Sequence, residues 1–477
     1  MRMRYAVSIL ATCLLALAAA SPVFAHAKLL SSKPSAGESL SAAPDVVELQ
    51  FSTRIQQKMS SVDLIDPAGR PIALSLVGAS EDGKTLRADL PELEPGSYTV
   101  NWRALSADDH MISGDFSFQV GQTSRDAPVS EPSAPALDHS SMDHGVQTAE
   151  SVQWPQSIIR WLVYLSMMVI GGGLICRRVI PDDAALEPSV AGGSYSPVTS
   201  LFVAASAVLV VCLVIALGLQ TYSIFNAVGP RQAYSVLSDT DFGLPWLIQF
   251  AAAVVVLVLL LLRRSTSEKG GMIWSWGALA AWLFIPLAGS LSGHAKAASA
   301  EFGFATVSSW LHMVAAAAWT GGLVLIIVSL PGLIKLFSGK SRYSQLAHVI
   351  HNFNRVAIAS VALLAVTGIY NTWIHVESLS ALVSTLYGRV LLGKIVVTGV
   401  MVGLGAMNSF VLRPRMLAEE GLPGDTLNEK LFFRSVRTEA ALAAAVLLLA
   451  AILAFLPPAR KHDPSAALAG PVSVENY

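Results

Sequence analysis

The sequence predicts an N-terminal all-β sandwich followed by a polytopic all-α membrane domain of eight transmembrane helices. Three observations predict it. The chain of 477 residues is 53% hydrophobic and only 14% charged, too apolar for a soluble protein of that length and expected for one largely embedded in lipid. Between His26 and Gly121 the apolar residues alternate in short runs, with Val47, Leu49 and Phe51 in one and Tyr98, Val100 and Trp102 in another, bounded by Pro, Gly and Asp turns. After Pro155, eight apolar segments are each long enough to cross a bilayer.

Residues 1–25 read as a cleaved signal peptide, with Arg2 and Arg4 at a charged start, an apolar run from Tyr5 to Ala20, and a small-residue cleavage site at Val23-Phe24-Ala25. The sandwich occupies 26–121. Residues 122–154 turn to Pro, Ser, Ala and Asp with almost no apolar periodicity, which predicts a flexible tether. The membrane domain follows over 155–458, with spans near 157–176, 199–224, 243–262, 272–292, 303–329, 355–374, 388–412 and 438–457, and a short polar tail closes the chain over 459–477. Lys and Arg crowd alternate loops (Arg177, Arg178; Arg263, Arg264; Lys335, Arg342; Arg413, Arg415), whereas the other loops carry Arg231 and Lys296. The positive-inside rule therefore sets the sandwich and the C-terminus outside the cytoplasmic membrane of a bacterium, on its periplasmic side.

Cleavage after Ala25 would leave His26 as the first residue. A terminal histidine offers an imidazole and an α-amine nitrogen together, a chelating pair suited to Cu(II). Asp108 and His110 add a carboxylate and a second imidazole two residues apart, a spacing that on a strand points both to one face. These four donors make a candidate N,N,N,O metal site. Cys13 leaves with the signal, and Cys176 and Cys212 fall in or beside membrane spans. No disulfide framework or thiolate motif can be drawn from them, so metal chemistry rests on His, Met and carboxylates. In the tether, His139, Met142 and His144 lie within seven residues. They form a candidate relay to the membrane, although similar tracts also occur in linkers with no binding role.

The stretch from His26 to about Val120, with its His-Ala start, Phe51-Ser52-Thr53-Arg54-Ile55 and the segment Asn101 to Val120, resembles the periplasmic copper-binding protein CopC. The resemblance implies an Ig-like sandwich and a Cu(II) site at His26, Asp108 and His110. With only Met59 and Met111 in the domain, it does not extend to a methionine-rich Cu(I) site. The segments Ser292-Gly293-His294-Ala295, Trp310-Leu311-His312-Met313, Trp319-Thr320-Gly321-Gly322, Tyr387 to Lys394 and Ser435 to Ala440 look like the inner-membrane copper protein CopD. Natural fusions of the two are associated with moving copper across the cytoplasmic membrane, usually inward.

His294, His312 and His375 all fall toward the outer side and form the candidate membrane receiving site. His312 lies about 10 Å deep, counted at ~1.5 Å per residue, and a polar residue at that depth is a functional candidate. Each also has a structural reading, as a hydrogen-bonded bundle residue for His312 and as interfacial residues for the other two. Lys394 reads as a counter-charge or gate, and Glu439 as snorkelling, paired with Arg437, or acting in ion exit. His348 and His351 share a helical face just inside the membrane. Met167, Met168, Met313, Met401 and Met407 are packing residues or soft Cu(I) ligands. Gly171-Gly172-Gly173 and Gly321-Gly322 mark close helix contacts first and hinges second.

The combined expectation is a non-enzymatic copper importer in copper homeostasis or resistance. Copper is held as Cu(II) by the N-terminal domain and as Cu(I) or Cu(II) in the membrane domain. The expected partners are the copper ion and the lipid bilayer, with periplasmic or cytoplasmic copper chaperones as candidates. The net charge of -1 points away from nucleic acid, and no Walker motif supplies nucleotide binding. Two other readings stay open: a haem-containing membrane Cu(II) reductase with axial histidines, and periplasmic sequestration without transport.

Overall fold

In a computed structural model, residues 29–80, 82–107, 111–121, 153–179, 197–264, 268–291, 302–336, 340–376, 378–418 and 427–456 are described. His26, Asp108, His110, His139, Met142, His144 and His294 lie outside them, as do the signal and the tether.

Among the described residues nine strands form the sandwich: β1 (Leu29–Lys33), β2 (Ser39–Leu40), β3 (Val46–Phe51), β4 (Ile55–Ile65), β5 (Pro71–Leu74), β6 (Leu76–Ala79), β7 (Thr85–Asp89), β8 (Gly96–Ser106) and β9 (Met111–Val120). One sheet has the order β1-β3-β7-β6 and the other β2-β9-β8-β4-β5. The alternating residues read from the sequence do face the core, for Val47, Leu49, Phe51, Tyr98, Val100 and Trp102 are all almost fully buried. Phe51 meets Trp102 edge-on at 5.4 Å between ring centroids, and Tyr98 stacks on Phe118 at 5.8 Å. The Tyr98 hydroxyl donates to the Glu94 carbonyl (2.9 Å), which keeps its polar end satisfied. Gly114 opposes Trp102 in the β8–β9 pairing. A Cβ there would come within 2.7 Å of the indole, so the ring lies across the strand only because that position is glycine.

The helical domain contains α1 (Trp154–Val179), α2 (Pro197–Phe225), a short α3 (Pro230–Asp239), α4 (Gly243–Arg264), α5 (Glu268–Leu291), α6 (Phe302–Leu336), α7 (Lys340–His375), a one-turn α8 (Ala381–Ser384), α9 (Leu386–Met407), a π turn (Asn408–Leu412), α10 (Arg413–Ala418) and α11 (Leu427–Leu453). Eight of these are long and apolar enough to cross a membrane, at the eight places the sequence indicates. Several run further than the apolar segments alone suggest. α7 starts at Lys340 and α11 at Leu427, because polar, helix-favouring sequence continues the same helix past the apolar boundary.

Small residues and tryptophans hold the bundle together. α1 crosses α6 so closely at Gly172 and Gly321 that a Cβ on Gly172 would lie 1.9 Å from the Ala317 carbonyl oxygen, and one on Gly321 would lie 2.0 Å from that of Met168. Gly171 leaves room for the fully buried Trp282 of α5. Four indole N–H groups tie helices across the bundle: Trp282 to Met167 O (2.9 Å), Trp161 to Ala444 O (2.9 Å), Trp246 to Leu213 O (2.9 Å) and Trp310 to Leu283 O (3.1 Å). In lipid, where water cannot satisfy these donors, a carbonyl on a neighbouring helix takes its place.

Candidate functional site: a docked sandwich above a membrane cavity

The chain segments that lead to the N,N,N,O candidates end at one rim of the sandwich. Leu29, where β1 begins, pairs with Phe51. Ala107, the last described residue after β8, donates its N–H to the Arg54 carbonyl (3.0 Å). Phe51 to Ile55 therefore bridges the two flanks, which accounts for the FSTRI segment at this point of the fold.

That rim is seated on the α2–α4 connection. Arg54 pairs with Asp241 (2.7 Å), and Lys58 with Asp239 (3.3 Å). The Asp241 N–H donates to Gln56 Oε1 (2.9 Å), and Arg103 donates to the Ile224 carbonyl (3.2 Å). Between these contacts Leu105, Ile224 and Val236 are buried together, with Met59, Met111, Leu217 and Phe242 packed against them. Asp239 is held below the usual carboxylate range, first by the Ser235 hydroxyl and then by the Lys58 ammonium and the Ser238 hydroxyl. The sequence signal for this contact was an acidic pair, Asp239 and Asp241, in a loop whose single cation is Arg231.

Beneath the rim lies a cavity of about 1340 Å³. Met111, the residue after His110 in the sequence, lines its upper end, and His375, His312, Lys394, Met401 and Ala443 line it further along. Met168 and Met313 also face it. Of the other methionines singled out, Met167 is buried in the bundle core and Met407 is exposed on the outside of the bundle.

Hydrogen bonds fix how His312 and His375 present themselves. The Thr367 hydroxyl gives its proton to the Leu363 carbonyl (2.7 Å), so its oxygen accepts at the 2.8 Å contact with His312 Nδ1. His375 Nδ1 lies 2.6 Å from the Asn371 carbonyl, which only accepts. From these directions we infer that Nδ1 carries the proton in both rings, leaving the acceptor lone pair on Nε2. A polar partner that fixes the tautomer in this way is the usual support of a metal-binding imidazole. For His312 the bundle and the functional readings thus describe opposite edges of one ring.

The histidines form two steps rather than one cluster. Thr367, beside His312, and His375 lie eight residues apart on α7, about 12 Å along the helix at ~1.5 Å per residue. Ser308 donates to Asn371 Oδ1 (3.2 Å) between them. Among the described residues no group of three His, Cys, Asp or Glu side chains converges as a metal cage. Nor does a second imidazole meet His312 at its depth among these residues, since its ring contact across the α6–α7 interface is the Thr367 hydroxyl.

The expectation for Glu439 is corrected. It does not snorkel to the boundary beside Arg437; it sits three turns into α11, 2% exposed, and accepts a hydrogen bond from Asn408 Nδ2 at the π turn, which leaves the ion-exit reading untouched. The polar start of α11 extends the helix, which moves Glu439 off the boundary and into the bundle. Lys394 lines the cavity with no carboxylate paired to it among the described residues.

A β-sandwich docked on a bundle of eight helices long and apolar enough to cross a bilayer, above a cavity whose lining includes two histidines and four methionines, defines a multi-pass membrane protein with a soluble domain. Comparison with known proteins gives the family. The CopC domain matches residues 29–121, the Copper resistance protein D-like N-terminal domain matches 150–304, and Copper resistance protein D matches 347–453. The copper transport protein CutJ of Bacillus subtilis is 24% identical over 450 residues, covering 91% of this chain and 74% of CutJ. Copper resistance protein C of Pseudomonas syringae pv. tomato is 38% identical over 103 residues, 20% of this chain and 81% of that protein. The crystal structure of CopC from Methylosinus trichosporium OB3b shares 34% identity over 20% of this chain and 93% of that one, with a TM-score of 0.20. The chain belongs to the CopC–CopD copper resistance family and joins both parts in one polypeptide.

Proposed function

We propose that this protein imports copper across the bacterial cytoplasmic membrane. His26, Asp108 and His110 capture Cu(II) outside, and the ion passes from the docked rim to His375 and then His312. The observation that carries this reading is the cavity that runs from Met111, next to His110 in sequence, to His312. Docking keeps the capturing rim at the cavity mouth, which raises the effective concentration of copper there. Thr367, which holds His312, and His375 lie about 12 Å apart along α7, a spacing that suits sequential transfer, because each imidazole binds weakly enough alone to release the ion to the next. Cavity methionines supply soft donors for copper in the reduced form. The membrane potential favours inward cations, by roughly 2.3 kcal/mol per charge at 100 mV.

Cytoplasmic copper accumulation tests this, with the intact protein, His26→Ala and His312→Ala at equal expression and limiting external copper. Import predicts lower uptake in both variants, with excess copper rescuing His26→Ala well and His312→Ala poorly. Unchanged uptake in both would leave sequestration as the better account.

A further inference from the structure

Directly below the cavity floor sits a buried acid that the copper path does not use. Ala443 of α11 lines the cavity, and Glu439 lies one turn further in, about 6 Å along the helix. Glu439 is 2% exposed and Asn408 is 5% exposed. Glu439 enters none of the salt bridges that join described residues. The charged and titratable groups on the elements packed around it include Glu429, Lys430, Arg434 and Arg437 on α11, Arg413 and Arg415 past the π turn, Arg160, Arg177 and Arg178 on α1, His351 and Arg355 on α7, Arg389 on α9, and, on the cavity side, Lys394 of α9 and His312 of α6. An uncompensated carboxylate at such a place is costly.

The hydrogen bonds around it show what removes that cost. Asn408 Nδ2 donates to Glu439 Oε1, yet Asn408 Oδ1 is buried with no partner, as is Ser435 Oγ one turn before Glu439. An ionised carboxylate has only acceptors and can satisfy neither the amide oxygen nor its own charge. A proton on Glu439 supplies the missing donor, closing an acid–amide ring in which Nδ2–H bonds one carboxyl oxygen and the other carboxyl O–H bonds Oδ1. Turning the amide over leads to the same place, since Oδ1 against Oε1 needs a proton between them. Two carboxyl oxygens, one amide oxygen and one hydroxyl fall short of the roughly six oxygens that hard cations such as Ca²⁺ and Mg²⁺ take. The π turn (Asn408–Leu412) places Asn408 here, a backbone irregularity that often marks function.

We propose that Glu439, held by Asn408, is a proton-binding site at the cytoplasmic floor of the cavity. The acid is neutral while the floor is closed. When water reaches it, the proton passes to water as hydronium and the carboxylate remains, and reprotonation from hydronium reverses the step. Its use in driving copper movement rests on the import reading; its occupancy by a proton does not.

Infrared difference spectra of the full-length protein in nanodiscs test the site. At neutral pH the wild type is expected to show the carbonyl stretch of a protonated carboxyl group that disappears in Glu439→Gln. In Asn408→Leu the band should move to higher frequency as its acceptor is lost. Matching spectra for wild type and Glu439→Gln in this region overturn the proposal. Should the Gln variant fail to purify as a monodisperse protein, an unshifted band in Asn408→Leu overturns it equally. In proteoliposomes, copper uptake that depends on pH in wild type and is flat in Glu439→Gln extends the site to coupling. Absence of uptake at every pH defeats import while the infrared result still decides the proton site.

Discussion

Replacing Gly321 by alanine tests the close crossing that shapes the cavity wall. The added Cβ would stand 2.0 Å from the Met168 carbonyl oxygen and 2.8 Å from the Gly172 Cα. Ordinary contact begins near 3.4 Å, so α1 and α6 must part by about 1.4 Å. The obstructing atoms are backbone, so no side chain can swing away to relieve the clash. Gaps on the order of 0.5–1 Å already forfeit a quarter to a half of a dispersion contact, and overpacking a tight core costs about 1–3 kcal/mol. We place Gly321→Ala near 3 kcal/mol, because Trp282 and Phe202, seated on Gly171 and Gly173, lose their fit together. Thermal unfolding of the purified protein, followed by size-exclusion recovery, should show a clear fall for Gly321→Ala. Gly218→Ala, where nothing lies within 4 Å of the new Cβ, should leave it unchanged. Gly172→Ala should resemble Gly321→Ala, and the double variant should cost less than the sum, since one methyl already separates the helices. Equal stability of Gly321→Ala and Gly218→Ala would refute the crossing.

Charge reversal probes the docked rim. Arg54→Glu places like charges together at Asp241 and should speed amide hydrogen exchange across 226–242, and adding Asp241→Arg should restore protection. The coupling should be only about 0.5–1 kcal/mol, because the Arg54 side chain is 55% exposed. Acid should loosen the same contact at Asp239. Its carboxyl lies below the ordinary 3.8, so the stabilisation it lends is complete above that value and is lost as pH falls through the lower, docked value. Only the Lys58 share is linked to docking, since Ser235 and Ser238 stay with Asp239 on α3 when the domains part. Exchange across 226–242 should therefore be steady from neutral pH down to about 5, after correction for intrinsic rates, and rise only in stronger acid. A rise near neutral pH would rule out Asp239 as the group responsible.

The parts legible in the sequence are those written in short-range pattern. The alternation of Val47, Leu49 and Phe51 gave the buried face of β3, and the apolar runs gave all eight spans. The two glycine clusters read as close contacts, and they are. Long-range pairings carried no such signal. Asn408 and Glu439 meet across 31 residues and two helices, and neither residue type nor spacing announces the match. Docking escaped for a related reason. Arg54, Lys58, Asp239 and Asp241 look like ordinary surface charges until the fold brings positions more than 180 apart into contact. His312 and His375 were recognisable as polar residues in apolar surroundings, but their placement at two levels of the bundle depended on the α6–α7 register, which Thr367 and Asn371 set.

Under the import reading proposed above, a docking contact that opens and closes fits delivery better than a rigid seal would. A capture domain that must load outside and unload into the cavity has to leave and return, so a tightly closed rim would trap copper on one side of the transfer. Two largely exposed ion pairs of about 0–1 kcal/mol each add little to the seat, so its hold rests mainly on the apolar patch around Leu105 and Val236. The covalent link makes rebinding intramolecular, so a contact that has opened still returns the rim to the same cavity mouth. Strengthening the contact is therefore expected to slow import at low copper even though it tightens the assembly. An engineered cross-link between the rim and α3 that left uptake unchanged or faster would show that the rim transfers copper without leaving its seat.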